Sequence, residues 1–480
     1  MTTDEIRKAA ANIVPSARQL AWQELEFTGF LHFGMNTFTD REWGEGNEDP
    51  RQFNPTQLDA RQWVEVGRDA GMKLMILTAK HHDGFCLWAS RFTDHCVRNS
   101  PWKGGKGDVV REFADACHSA GMKMGLYLSP WDRHEPTYGN SPAYNEHFKN
   151  QLRELMTNYG RVSEVWFDGA CGEGPNGRRQ EYDWAGFHAV VRELQPDAAM
   201  GPCGPDARWV GNESGFARET EWSVVGVNFE APPKDYNEAF YVPYLYEDPG
   251  KQGQKAPGSL EALAQARRMV WWPAETDVSI RPGWFYHAAE DLKVKSLDSL
   301  MDIYYQSIGR NTVLLLNVPP DRRGLIHEID AARLREFRAT LDRTFKRNLA
   351  KGKAATATNV REGRRQFAAK KAVDGNPATY WTTDEGIMSA SVEVDLGKEI
   401  MFNRAVYQEM VSLGQRVESY SLEAWHQGGW KEIVAGTTIG YKKIDRFGDV
   451  TASRVRLTLR KARGAVAVRS LGLFRAELGA

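Results

Sequence analysis

The chain has no excess of charge of either sign. Its 480 residues hold 62 lysines and arginines against 63 aspartates and glutamates, a formal net charge of −1. That balance offers nothing to a polyanion, so nucleic acid is not expected as a partner. No apolar run approaches the roughly 20 residues that cross a bilayer, and no membrane association is expected. The first residues, "MTTDEIRKAA", lack the apolar stretch of a secretory leader. A complete chain is therefore expected in the cytoplasm; one trimmed of a leader would be periplasmic or secreted. Cysteine is scarce. The five, Cys86, Cys96, Cys117, Cys171 and Cys203, form no C-x-x-C pair. Their odd number and scatter argue against a disulfide framework or structural zinc and leave buried thiols. G-x-G-x-x-G and Walker A patterns are also missing, so nothing announces a nucleotide or any other cofactor.

Tryptophan, in contrast, is plentiful, with 16 residues. Its rigid apolar face suits a core or a sugar ring equally. From residue 56 a pattern recurs. "TQLDARQWVEVGRDAG" reads as a capped amphipathic helix ended by Gly71, and "MKLMILTAK" follows as a strand. "GDVVREFADACHSAG" leads to "MKMGLYLS", "AYNEHFKNQLRELMTNYG" to "VSEVWFDG", and "YDWAGFHAVVRELQP" to "AAMGPCG". Helices alternating with near-continuous apolar strands predict a parallel sheet covered by helices. The strands end on polar or aromatic residues: His32, the pair His81 and His82, Tyr127, Asp168 and, in "WVGNESG", Glu213. Such residues at the C-terminal ends of successive parallel strands predict a (β/α)8-type barrel with its site at that rim. "NTVLLLNVPP" reads as the last strand, near 311–320, while 205–290 holds no strand that pattern alone defines. After about Lys346 short alternating runs broken by Gly, Asn and Pro predict an all-β sandwich. The expected domains are 1–350, a catalytic barrel, and 351–480, a β-sandwich.

Asp168 closes the apolar run of "EVWFDG", where the ordinary reading is a turn or cap residue and the functional one a catalytic carboxylate. Breaking a glycosidic bond takes two carboxyl groups. Glu173, Glu181, Glu213, Glu219 and Glu42 are the partners on offer. Glu181 reads as a charge at a helix start, whereas Glu213 sits in a segment that reads as a buried loop, where burial would raise its pKa as a general acid requires. His81 and His82, in a tight turn with Asp83 and Gly84, read as neutral imidazoles for ligand hydroxyls. A metal is not expected, because "FLHFG" offers only His32 where barrel metallohydrolases place H-x-H.

Together "HFGMNTFTDREWG", "KHHDGFCLW", "GLYLSPWD", "VWFDGACGEG", "WVGNESG" and "DVSIRPGWFYH" resemble the α-L-fucosidases of glycoside hydrolase family 29 over about residues 15–340. "WVGNES" followed by "RPGWFYH" resembles the subgroup acting on branched α-1,3/1,4-fucosides. The resemblance implies a retaining double displacement, with Asp168 as nucleophile and Glu213 as acid/base. It also implies a fucose site formed by His32, Glu42, Trp43, His81, His82, Tyr127, Trp166 and Trp284. The implied partner is a fucosylated oligosaccharide or glycoconjugate. The alternatives are a fucose-binding protein without catalysis and a fucosidase of broad specificity. The tail "AVDGNPATYWTT…VEVDLG…YSLEAW…VRLTLR" resembles a discoidin-like jelly roll, read either as a sugar-binding module or as a brace on the barrel. The segment Ala231–Gly258, long and rich in Tyr and Pro, is expected to overhang the leaving-group side of the pocket.

Overall fold

A computed structural model of the chain describes residues 2–228 and 256–477. Eight parallel strands form the first domain: β1 (Phe27–Leu31), β2 (Leu74–Lys80), β3 (Lys123–Leu128), β4 (Glu164–Phe167), β5 (Ala199–Pro202), β6 (Arg208–Trp209), β9 (Ala274–Ser279) and β10 (Val313–Asn317). They run in the order β5-β4-β3-β2-β1-β10-β9-β6. Ala207 N–H donates to Met200 O at 3.2 Å, so the end strands adjoin and the barrel nearly closes. Between β6 and β9 lies an antiparallel pair, β7 (Val224–Val227) with β8 (Arg268–Trp271).

The alternation seen in the sequence is realised by helices with defined ends. The helix Ala60–Ala70 starts on Asp59, whose carboxylate accepts from Arg61 N–H, and stops at Gly71 in the left-handed region, φ 92°. It buries Trp63, Val64, Gly67 and Ala70 against the barrel. The helix Val109–Ala120 repeats the device with Asp108 and Gly121. Glu181 does not start a helix as expected: that helix begins at Trp184, capped by Asp183.

The second domain is antiparallel: β11 (Ala354–Ala357), β12 (Trp381–Thr382), β13 (Ala390–Glu409), β14 (Val417–His426), β15 (Gly429–Gly436), β16 (Lys443–Ala462) and β17 (Ala467–Phe474). β13 and β16 are 20 residues each, and register shifts at Asp395/Ile400 and Phe402/Arg404 let them bend. Val392, Val394, Leu457, Leu459 and Trp381 fill its core. Strands within 205–290 were illegible for a reason now visible. β6 has only two residues, and β9 carries Glu275 and Asp277 among its buried positions.

The sandwich meets the barrel where the loop after β6 returns. Glu221 N–H donates to Thr438 Oγ1 (3.1 Å), and Ser223 N–H to Gln415 Oε1 (2.7 Å). Gln415 Nε2 donates back to Glu221 O at 3.0 Å. Beneath them the fully buried guanidinium of Arg208 meets the carboxylate of Glu221, 1 % exposed. Removing one member of such a pair strands a buried charge, so Glu221→Ala should cost about 3–5 kcal/mol. Glu219→Ala, which breaks a single 3.7 Å pair between an exposed glutamate and the part-buried Arg310, should cost no more than about 1 kcal/mol. Denaturant melts of both variants check this; equal costs would contradict it.

Candidate active site

The C-terminal ends of the barrel strands surround a cavity of about 390 Å³. Nine of the ten residues expected at the site line it: Asp168, Glu213, His32, Trp43, His81, His82, Tyr127, Trp166 and Trp284. Glu42 does not. Its carboxylate is turned to the loop after β9, where it accepts from Trp284 N–H (2.8 Å), Phe285 N–H (3.1 Å) and pairs with His287 Nε2 (2.7 Å). It braces Trp284 from behind.

Asp168 follows β4 directly, so the strand fixes its Cα at the rim. Tyr127 O–H donates to its Oδ2 at 3.0 Å and Ala170 N–H to its Oδ1 at 2.7 Å. The side chain is one-quarter exposed, on the cavity side. Burial, with Asp168 beside it, pushes the Tyr127 phenol well above its ordinary range, so it remains a donor.

Three imidazoles stand opposite, all buried. The hydrogen bonds fix which nitrogen carries each proton. Asn317 spends its amide N–H groups on Trp284 O and Ser279 Oγ, so its oxygen accepts from His32 Nδ1–H at 2.9 Å. Ser129 O–H donates to Trp131 O, so Ser129 Oγ accepts from His82 Nδ1–H at 2.7 Å. Asn36 Nδ2 donates to His81 Nδ1 at 3.4 Å. His32 and His82 are therefore left with an accepting Nε2, and His81 with a donating one. The Nε2 of His82 lies 3.9 Å from Asp168 Oδ2. Burial lowers all three pKa values, that of His32 to about 3. They are neutral at pH 7.

Glu213 was expected in a buried loop; it is exposed, at the mouth of the cavity. Its carboxyl is nevertheless pushed above the ordinary range, first by the surrounding protein mass that displaces water and then by Asp168 and Glu42. Trp284 Nε1–H donates to Glu213 Oε2 at 3.1 Å and opposes that rise. Trp43, 57 % exposed, stands edge-on to His82 and Trp131 at the same mouth.

Sequence reasoning missed Trp209 and Asp277, which also line the cavity, and Asn317 behind it. One signal was available: Glu275, Asp277 and Ser279 alternate, so a strand there would aim all three the same way. Among the described residues no group of three or more His, Cys, Asp or Glu side chains could hold a metal ion. The expected overhanging segment, Ala231–Gly258, lies outside the described residues as far as 255.

Residues 17–344 match the α-L-fucosidase family, and residues 354–470 match the F5/8 type C domain. The chain belongs to the α-L-fucosidase family. It is 42% identical to α-L-fucosidase 1 of Arabidopsis thaliana over 466 residues, covering 96% of this chain and 87% of that one. A putative α-L-fucosidase structure from Bacteroides ovatus superposes with TM-score 0.87 at 47% identity, covering 99% of this chain and 76% of that one. A Ruminococcus gnavus family 29 fucosidase, solved in complex with fucose, gives TM-score 0.85 at 33% identity, covering 98% and 96%. The sandwich is thus the discoidin-like partner of a family 29 barrel.

The neutral imidazoles set a pH dependence. Between about pH 6.5 and 3 the unfolded chain binds a proton at His32 that the folded chain does not. Stability therefore falls as pH falls through that window, by about 1.4 kcal/mol per pH unit for this residue. His32→Gln should lose that increment of slope. Urea midpoints of both proteins at pH 6.5 and 4.5 measure it, and an unchanged slope would contradict the assignment.

Proposed function

We propose that the chain is an exo-acting, retaining α-L-fucosidase in which Asp168 is the nucleophile and Glu213 the acid/base. The observation that carries this is the pairing of two unlike carboxyls at one cavity. Asp168 is held by Tyr127 and Ala170, while Glu213 is pushed toward its acid form. In the first step an Asp168 oxygen bonds to C1 of the fucose as the C1–O bond breaks, and Glu213 gives its proton to the leaving oxygen. In the second, Glu213 takes a proton from water, whose oxygen replaces Asp168 at C1. The accepting Nε2 of His32 and His82 and the donating Nε2 of His81 suit successive sugar hydroxyls. Phe30, Trp166 and Trp284 offer apolar faces to the ring and its methyl group. No metal or cofactor takes part.

Asp168→Ala should lower kcat at least about 10³-fold, because the covalent step is lost. Azide should partly restore turnover and give the β-fucosyl azide. Glu213→Ala should harm poor leaving groups far more than activated aryl fucosides. Near-normal turnover of folded Asp168→Ala, or equal losses of Glu213→Ala on both substrate types, would refute the respective role.

The substrate we infer is a branched glycan with α-1,3- or α-1,4-linked fucose. This reading draws support from Trp284 of "RPGWFYH" meeting Glu213 of "WVGNES" at the mouth, where the leaving sugar must lie. A site built for a second sugar rejects substrates lacking it. Lewis-type trisaccharides should be cleaved at least about 10²-fold better in kcat/KM than α-1,2-linked fucosyl-galactose. Comparable values for the two would leave a fucosidase of broad specificity.

A further inference from the structure

One carboxyl of the cavity has no role in the double displacement. Glu275, Asp277 and Ser279 occupy alternate positions of β9. Glu275, below, accepts from Trp166 Nε1–H at 2.6 Å. Ser279, above, donates to Gly283 O and accepts from Asn317 Nδ2. Asp277, between them, lines the cavity although it is only 3 % exposed. Its Oδ1 accepts from Trp209 Nε1–H at 2.8 Å. Its Oδ2 has no hydrogen-bond partner among the described residues, yet it is not one of the sealed, unpaired buried atoms. The open direction is the cavity. A buried polar atom facing an unfilled cavity requires a partner, and a ligand can supply it.

The position of the proton follows. Burial, reinforced by Glu213 nearby, holds the Asp277 carboxyl well above the ordinary range, so it keeps its proton. Trp209 has no acceptor to offer and must donate to Oδ1. The proton therefore sits on Oδ2, and the group that meets the cavity is an O–H donor rather than a carboxylate. A buried acid kept neutral to donate a hydrogen bond is a known solution in enzyme sites.

We propose that Asp277 is a substrate-binding residue whose Oδ2–H donates to a hydroxyl oxygen of the terminal sugar, on the Glu213 side of the cavity. It complements the histidines, two of which accept. It also keeps a further full negative charge away from the cavity that Asp168 and Glu213 share. The inference rests on the fucose reading of the cavity.

Two substitutions separate a donor from a carboxylate. Asp277→Asn keeps an oxygen for Trp209 and turns an N–H donor to the cavity. Asp277→Leu keeps bulk and removes both. Free fucose titrated calorimetrically into wild type and variants is the first readout. Asn should bind fucose within about 3-fold of wild type, and Leu at least about 10-fold more weakly. With a trisaccharide substrate, kcat/KM should follow the same order, with the loss in Leu reaching about 10²-fold. Difference infrared spectra give a second readout: a carboxylic-acid carbonyl band that shifts on adding fucose to wild type and is missing from Asp277→Asn. Should Leu fail to fold, Asn alone decides. A loss of fucose affinity in Asn of 10-fold or more would overturn the donor role, and so would wild-type affinity in both variants. Failure of wild type itself to bind fucose would instead reject the fucose reading.

Discussion

Several carboxyls share one cavity, and they cannot all be charged. That constraint organises the rim of the barrel. Asp168 receives two donors, the Tyr127 phenol and the Ala170 amide, and stands near the neutral imidazole of His82. Glu213 and Asp277 receive one indole donor each, and displaced water pushes both toward their acid forms. The same cavity thus holds carboxyls of unlike surroundings, as the proposed division into nucleophile and proton donor requires. Behind the cavity the rim is tied down by buried polar contacts. Lys80, fully buried, pairs with Asp132 at 2.7 Å, and Asp132 caps the turn that carries His134 and Glu135. Asn317 ties His32 to the Trp284 loop, and Glu42 ties that loop to the segment after β1.

The Glu213 side of the cavity is built differently from the Asp168 side. Asp168 stands directly on a barrel strand. Glu213 stands four residues beyond a two-residue strand, on a loop whose return is clamped by Arg208, Glu221, Gln415 and Thr438. Two of those anchors belong to the sandwich. Whether or not the second domain meets sugar, it holds the strand-poor quarter of the barrel in register. A short strand cannot supply that rigidity alone.

Much of this was legible in the sequence, and the exceptions have physical causes. β1 to β5 and β10 read clearly because they are nearly continuous apolar runs between helices, and their last residues named the rim. β9 hid because its inward positions are polar; "AETDVS" looks like a loop until Glu275 and Asp277 are seen to face the barrel interior. Glu42 entered the expected site through the family resemblance, and nothing in its local sequence says which way its carboxylate turns. It turns to backbone amides 242 and 243 residues away. Glu213 was read as buried because Trp209 and Val210 precede it. Only Val210 is fully buried, and the loop then swings out. No local pattern encodes that exit.

The central claim is that Asp168 becomes covalently attached to the sugar. A 2-deoxy-2-fluoro-fucosyl fluoride tests it most directly, since the ring fluorine slows both steps while the fluoride leaving group restores the first. Intact mass spectrometry followed by peptide mapping should find one fluorosugar per chain, on the peptide holding Asp168. A label on Glu213 or elsewhere would contradict the account, as would rapid hydrolysis to the inverted sugar with no adduct.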